Sequence, residues 1–223
     1  MKNLFLIVNL VLFSANASAS EVHFNTKDNA TIYAHFQQRG SHAVLLAHGA
    51  VFNKESWGMF EQQLLDNNYT VLAIDFRGYG KSTQGSQSSA LYQDILAAIN
   101  FLQTQPDISE ISVFGASMGG AAAAKASVYS EPGSMNQLIL LSPASVYQAE
   151  KLKGDLLFIA SADEYLAKKI KAAYDTAPKP KMLQLIPGSA HAQHIFKTLQ
   201  ADALTNIILE FLKKGGFKSE AQF

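Results

Sequence analysis

Three separated segments of this chain carry the residue types needed for nucleophilic attack on a carbonyl. The first is Gly115-Ala116-Ser117-Met118-Gly119, between an apolar run (Ile111 to Phe114) and an alanine-rich one (Ala121 to Ala126). That order predicts a strand, a tight turn with the serine at its apex, and a helix. Glycine two residues before and two after the serine lets strand and helix approach closely. The N–H after the serine then stands at a helix N-terminus, where it can meet a developing oxyanion. Taken alone, the pattern fits a plain Gly/Ser turn equally well. A serine hydroxyl is a poor nucleophile until a base takes its proton. The other two segments offer that help: Ser161-Ala162-Asp163-Glu164 and Gly188-Ser189-Ala190-His191. Imidazole titrates near neutrality and can take and return a proton. A carboxylate on its second ring nitrogen fixes the tautomer.

The elements that must position these groups are legible as an alternation. Val22 to Thr26 and Thr31 to Gln37 flank Asp28-Asn29 and read as an antiparallel hairpin. Ala43–Ala47, Thr70–Ile74, Ile111–Gly115, Leu138–Leu141, Leu156–Ala160 and Met182–Ile186 are short, nearly continuous apolar runs. Such runs suit strands buried on both faces. Helical spacing of apolar residues predicts helices over 55–68, 91–103, 118–130, 164–174 and 193–214. In the last, Phe196, Leu199, Leu204, Ile207, Ile208 and Phe211 form the expected apolar face. Two strands followed by strand–helix alternation predict an α/β fold: a mostly parallel sheet of about eight strands with an antiparallel N-terminal strand and helices on both faces. In such sheets ligands gather outside the carboxyl ends of the strands. His48-Gly49-Ala50, Ser117, Asp163 and His191 all fall there.

Composition narrows the alternatives. The chain has 223 residues, 48% hydrophobic and 16% charged, which suits one domain with a sizeable core. Its formal net charge is zero and it has no long basic run, so nothing favours nucleic acid. There is no cysteine, which removes disulfides, thiolate metal sites and a cysteine nucleophile. No His, Asp or Glu cluster has zinc spacing, so neither metal nor cofactor is expected. Residues 1–19 have the layout of a secretory signal peptide. Lys2 precedes an apolar stretch from Leu4 to Phe13, and Ala17-Ser18-Ala19 offers an A-x-A cleavage pattern. The stretch is short of the roughly 18 residues a membrane-spanning helix needs. The expectation is an exported protein, periplasmic or secreted, with no stable membrane anchor. Its mature domain starts near residue 20, with cleavage after Ala17 as the nearest alternative.

Taken together, these residues resemble the α/β-hydrolase superfamily, in its serine-hydrolase branch. The resemblance spans about residues 22–212. It is carried by His48-Gly49, by Asp75-x-Arg77-Gly78-x-Gly80-x-Ser82, by Gly115-x-Ser117-x-Gly119, by Ser161-Ala162-Asp163-Glu164 and by Gly188-x-x-His191. It implies Ser117 as nucleophile, His191 as general base and acid, and Asp163 as the orienting carboxylate. The implied oxyanion donors are the backbone N–H groups of Ala50 and Met118. Glu164 is the alternative acid and His194 the alternative base. Asp163 could also cap the helix that follows it. Some members place the acid after the preceding strand, but Ser142-Pro143-Ala144-Ser145 offers no carboxylate. His48 reads as a histidine that shapes its loop through backbone hydrogen bonds, and Asp75 and Arg77 as structural. Trp57 reads as core packing.

Ser142 to Asp155 is too short for the multi-helix lid that many relatives insert there. The expected site is therefore open, which suits a small-molecule ester and argues against a lipase with interfacial activation. Serine at the apex argues against the aspartate-dependent dehalogenase and epoxide-hydrolase branches. The expected reaction is hydrolysis of carboxylic esters through an acyl-serine. The same triad could serve a thioesterase, amidase or peptidase. A catalytically silent binding protein on this fold is the alternative from another class.

Overall fold

A computed structural model describes residues 19–215. The expected signal segment, Ala19 apart, and the last eight residues lie outside the described residues. Eight strands form one sheet: β1 (Ser20–Asn25), β2 (Thr31–Gln37), β3 (His42–Ala47), β4 (Thr70–Ile74), β5 (Glu110–Ala116), β6 (Gln137–Leu141), β7 (Asp155–Ser161) and β8 (Lys181–Ile186). Their order across the sheet is β1-β2-β4-β3-β5-β6-β7-β8. β2 pairs antiparallel with both β1 and β4, and every other pairing is parallel. The strand that runs against the rest is therefore the second, held by the hairpin turn at Asp28-Asn29.

The helices are α1 (Gly58–Asp66), α2 (Leu91–Gln103), α3 (Met118–Tyr129), α4 (Ala167–Thr176) and α5 (Ala201–Lys213). Strand alternation sends successive side chains to opposite faces. Leu45 and Leu72 join Ile95 and Ile99 of α2, Ala122 and Ala123 of α3 and Ile170 of α4 on one face. Val44 and Leu46 join Phe60 and Leu64 of α1 and Leu204 and Ile208 of α5 on the other. This is why the central strands read as unbroken apolar runs. Trp57 is buried against Phe60, Phe114 and Phe196, as expected of a packing residue. Ile208 is fully buried in the second layer. Cutting it to alanine is expected to cost about 2–5 kcal/mol, read by urea unfolding.

Three helices depart from the periodicity, and the first of them begins at Gly58 after a 3-10 turn over Lys54–Trp57 rather than at Glu55. The stretch 193–214 is not one helix: a short tight turn over Ala192–Lys197 is separated from α5. The Thr198 hydroxyl donates to Ile195 O (2.8 Å) and accepts the Gln200 N–H (3.1 Å). A side chain that takes up backbone partners in this way competes with the helix ladder. Leu199, expected in the apolar face, is fully exposed in the break. The predicted helix over 164–174 starts at Ala167 instead, because residues 161–164 form a turn closed by Glu164 N–H on Ser161 O. Asp163 is thus not a helix cap. After β6 the connection 142–154 contains only one short turn of helix, Ala149–Lys151, so no lid domain is inserted there.

Arg77 and Asp75 hold the loop that follows β4. Arg77 is buried. Its guanidinium spans Asp28 (2.7 and 2.9 Å) and Asp94 (2.6 and 2.9 Å). This knot joins the first hairpin, the loop and α2, and it engages the whole buried Arg77 guanidinium. The Asp75 carboxylate takes both the Lys54 N–H (2.9 Å) and its ammonium (2.6 Å). Arg77 and Thr26 hold the Asp28 carboxyl well below the usual carboxylate range, against the opposing effect of burial. A folded-state value below the unfolded one stabilises the fold at neutral pH, and the gain is lost as pH falls below about 4. Acid unfolding midpoints are expected to show this for the wild type and to lose it in Asp28→Asn. Arg77→Leu leaves two buried carboxylates unpaired and is expected to cost about 3–5 kcal/mol in the same unfolding measurement.

Candidate active site

The strand order places a topological switch point where the site is needed. From the central β3 the chain moves to one side for β4 and then to the other for β5, so the order reverses between β3 and β5. Their C-terminal ends carry His48-Gly49-Ala50 and Ser117. Such switch points leave room beyond the strand ends. Ser117 sits between β5 and α3 with φ of 51° and ψ of −110°, a sharp turn for a side-chain-bearing residue. Its N–H donates to Leu141 O (2.9 Å), which ties the turn to β6. The approach of strand and helix demands the flanking glycines. A Cβ on Gly115 would stand 2.4 Å from Gly119 O, and one on Gly119 would stand 2.1 Å from Ala47 O.

Ser117 Oγ lies 2.8 Å from His191 Nε2. His191 Nδ1 lies 2.6 Å from Glu164 Oε2. Serine and histidine are therefore where the sequence put them, and the carboxylate is not. The exposed Asp163 side chain makes no ion pair or hydrogen bond among the described residues, whereas Glu164 is buried. The cause is the 161–164 turn. It folds the chain back so that residue 164, not 163, comes in over the end of β6. The longer side chain then spans from there to the imidazole. Glu164 Oε1 accepts the Ser142 hydroxyl (2.6 Å) and the Ser161 N–H (3.1 Å), which leaves Oε2 for His191. Ser142 stands at the end of β6, where the sequence offers no carboxylate, and contributes as a donor instead. His194 is exposed and its ring packs against Phe52, away from the base position.

The loop after β3 is held at each successive peptide group. The Gly49 carbonyl faces His48 Nδ1 (2.8 Å) and accepts the Phe52 N–H (3.0 Å). His48 Nε2 accepts the Phe76 N–H (3.3 Å), so the proton is on Nδ1. Burial lowers the His48 pKa, which keeps this ring neutral and able to accept. His48 thus shapes its loop, as expected. With the Gly49 carbonyl fixed, the N–H of the same peptide group, that of Ala50, is fixed in the opposite sense. Tyr79 Oη donates to Ala50 O (2.9 Å). The loop abuts the serine: a Cβ on Gly49 would stand 3.5 Å from Ser117 Cβ. Met118 is the first residue of α3, so its N–H belongs to the first turn, which lacks intrahelical acceptors.

Gln193 is a residue that the sequence reading missed. It is 3% exposed, accepts the Gly49 N–H at Oε1 (2.7 Å) and donates from Nε2 to Ser56 Oγ (2.9 Å). Its one available signal is a glutamine among apolar neighbours just after His191. Tyr165, 77% exposed, lies with its ring 5.6 Å from that of His191. Among the described residues no group of three or more His, Asp or Glu side chains could hold a metal, and no helix is long and apolar enough to cross a membrane.

Sheet order, serine turn and histidine loop together define an α/β-hydrolase. The family profile described as serine aminopeptidase, S33 (Hydrolase_4) matches residues 38–156, more than half of the chain. The protein belongs to this hydrolase family. It is 28% identical over 113 residues to the uncharacterized protein YfhR of Escherichia coli, a match covering 47% of this chain and 40% of that one. It is 28% identical over 125 residues to the AB hydrolase superfamily protein YisY of Bacillus subtilis, covering 55% of this chain and 45% of that one. The match thus spans less than half the length of either curated relative. The Pyrococcus furiosus esterase Pf2001 superposes with a TM-score of 0.76 at 19% identity, over 94% of this chain and 97% of that one. The esterase EaEST from Exiguobacterium antarcticum gives 0.75 at 14% identity, over 87% and 100%. At such identity the likeness is one of fold.

Proposed function

We propose that this hydrolase cleaves carboxylic esters of small or exposed acyl groups through an acyl-serine intermediate. The observation that carries the reading is the unbroken relay from Ser117 Oγ through His191 to Glu164, at 2.8 and 2.6 Å. His191 Nε2 takes the hydroxyl proton as Ser117 attacks the ester carbonyl. The tetrahedral oxyanion is met by the N–H groups of Met118 and Ala50. Collapse expels the alcohol, which leaves with the proton held by His191. Water then attacks the acyl-serine with His191 again as base, and Ser117 is regenerated. Glu164 holds the imidazole in the productive tautomer and stabilises the imidazolium. The short 142–154 connection, with its single turn of helix, supports a small or exposed acyl group. The N-terminal segment adds a proposed site of action outside the cytoplasm.

The test is labelling with a fluorophosphonate, peptide mapping of the adduct, and a series of p-nitrophenyl esters of rising acyl length. Label on Ser117 and a rate that peaks at acetate to butyrate are expected. A folded protein that takes no label would return the reading to a binding module. The family description favours a second reading, release of an N-terminal residue from a peptide. Aminoacyl p-nitroanilides in the same assay separate the two: an aminopeptidase would release p-nitroaniline from them and not from their N-acetylated counterparts, whereas an esterase would leave both intact.

A further inference from the structure

We propose that Gln193 is a positioning residue that ties the oxyanion loop to the loop of the catalytic histidine; this rests on the hydrolase reading above. The two loops are far apart in sequence and share no element. Gln193 bridges them because it stands two residues after His191 and holds the Gly49 N–H at 2.7 Å. The peptide group it grips immediately precedes the one that presents the Ala50 N–H. His48 and Tyr79 fix carbonyls of that loop, but both belong to the β3–β4 side of the site. Gln193 alone of these three comes from the His191 side, so it sets the distance between base and oxyanion donor. Its second bond, to Ser56 Oγ (2.9 Å), and its burial hold the amide in one orientation. With Nε2 engaged as donor, Oε1 is committed to the Gly49 N–H.

The chemistry needs such a tie. The serine proton moves to His191 while charge grows on the carbonyl oxygen, so base and oxyanion donors must both be in register with one substrate. An error of about 1 Å in such geometry costs on the order of 100-fold. In the ground state the carbonyl carries less charge, so loss of the tie should weaken the transition state more than substrate binding.

The test uses Gln193→Met, which keeps most of the volume and removes both hydrogen bonds, beside Ser56→Ala, which removes only the outer one. The expected result for Gln193→Met is a kcat lower by roughly 10- to 100-fold with KM within about twofold. Affinity for a trifluoromethyl ketone, whose hemiketal oxyanion occupies the same site, should fall by a similar factor. Amide hydrogen exchange of the peptide spanning 48–52 should speed up. Ser56→Ala should move all three readouts in the same direction by less. A kcat within twofold of wild type, or a loss confined to KM, overturns the proposal. Unchanged exchange at 48–52 overturns it as well. A merely packing glutamine would lower the thermal midpoint without splitting kcat from KM. Failure of the wild type to label at Ser117 is a separate outcome: it overturns the hydrolase reading and the catalytic role with it, while exchange at 48–52 still decides whether Gln193 holds the loop.

Discussion

Replacing Ser117 with alanine is expected to lower kcat by roughly 10,000- to 1,000,000-fold and to abolish fluorophosphonate labelling, with stability changed by no more than about 1 kcal/mol. The size follows from covalent catalysis. Without Oγ no acyl-enzyme forms, and only the oxyanion donors and binding remain to act on a water attack. The small stability effect follows from the surroundings. Ser117 is partly exposed, and its backbone anchors are kept by alanine: the N–H on Leu141 O and the carbonyl that accepts from Ala121 and Ala144. Alanine at φ of 51° carries much the same strain as serine does. The variant should therefore be folded and silent, which circular dichroism and a burst-phase ester assay would show together. A folded Ser117→Ala protein that keeps wild-type turnover cannot be squared with the mechanism.

Glu164→Gln is expected to lower kcat on the order of 1,000- to 10,000-fold, whereas Asp163→Asn should stay within about twofold of wild type. The hydrogen bonds around Glu164 predict more than a lost charge. The Ser142 hydroxyl and the Ser161 N–H both point donors at Oε1, so an amide placed there must turn its oxygen to them. Its NH₂ then faces His191 Nδ1. That donor forces the imidazole proton onto Nε2, and a protonated Nε2 cannot accept the proton of Ser117. The variant holds the wrong tautomer in nearly unchanged geometry. Ser142→Ala frees Oε1 of one donor and should recover part of the activity when combined with Glu164→Gln. The steady-state rates of the four proteins decide the matter. Loss of activity in Asp163→Asn with retention in Glu164→Gln would reverse the assignment.

The family comparison bears on these two predictions unequally. Its match ends at residue 156, so it includes the serine turn and the oxyanion loop but neither Glu164 nor His191. The acid therefore rests on geometry alone, and its mutants are the sharper measurement.

The amino-acid sequence determined whatever depends on near neighbours. Apolar runs located β3 to β8 to within a residue or so, because strands covered on both faces, as β3 to β7 are, admit few polar residues, and β8 at the sheet edge is still half covered. Gly115 and Gly119 marked the serine turn, because no Cβ fits there. His191 followed from its place after the last strand. Three features needed the tertiary structure. Asp163 and Glu164 are adjacent acids after one strand, and the sense of a four-residue turn decided which of them comes inward to Ser142 and His191. The break at Thr198 depended on a side chain taking backbone partners that a helical pattern would have used. Gln193 acquires its role only when the fold brings residues 49 and 193 together. For Glu164 and Gln193 the deciding contact joins parts of the chain that the linear order leaves apart; at Thr198 the contacts are local, but a hydroxyl that serves a helix and a break equally well does not by its type set which one forms.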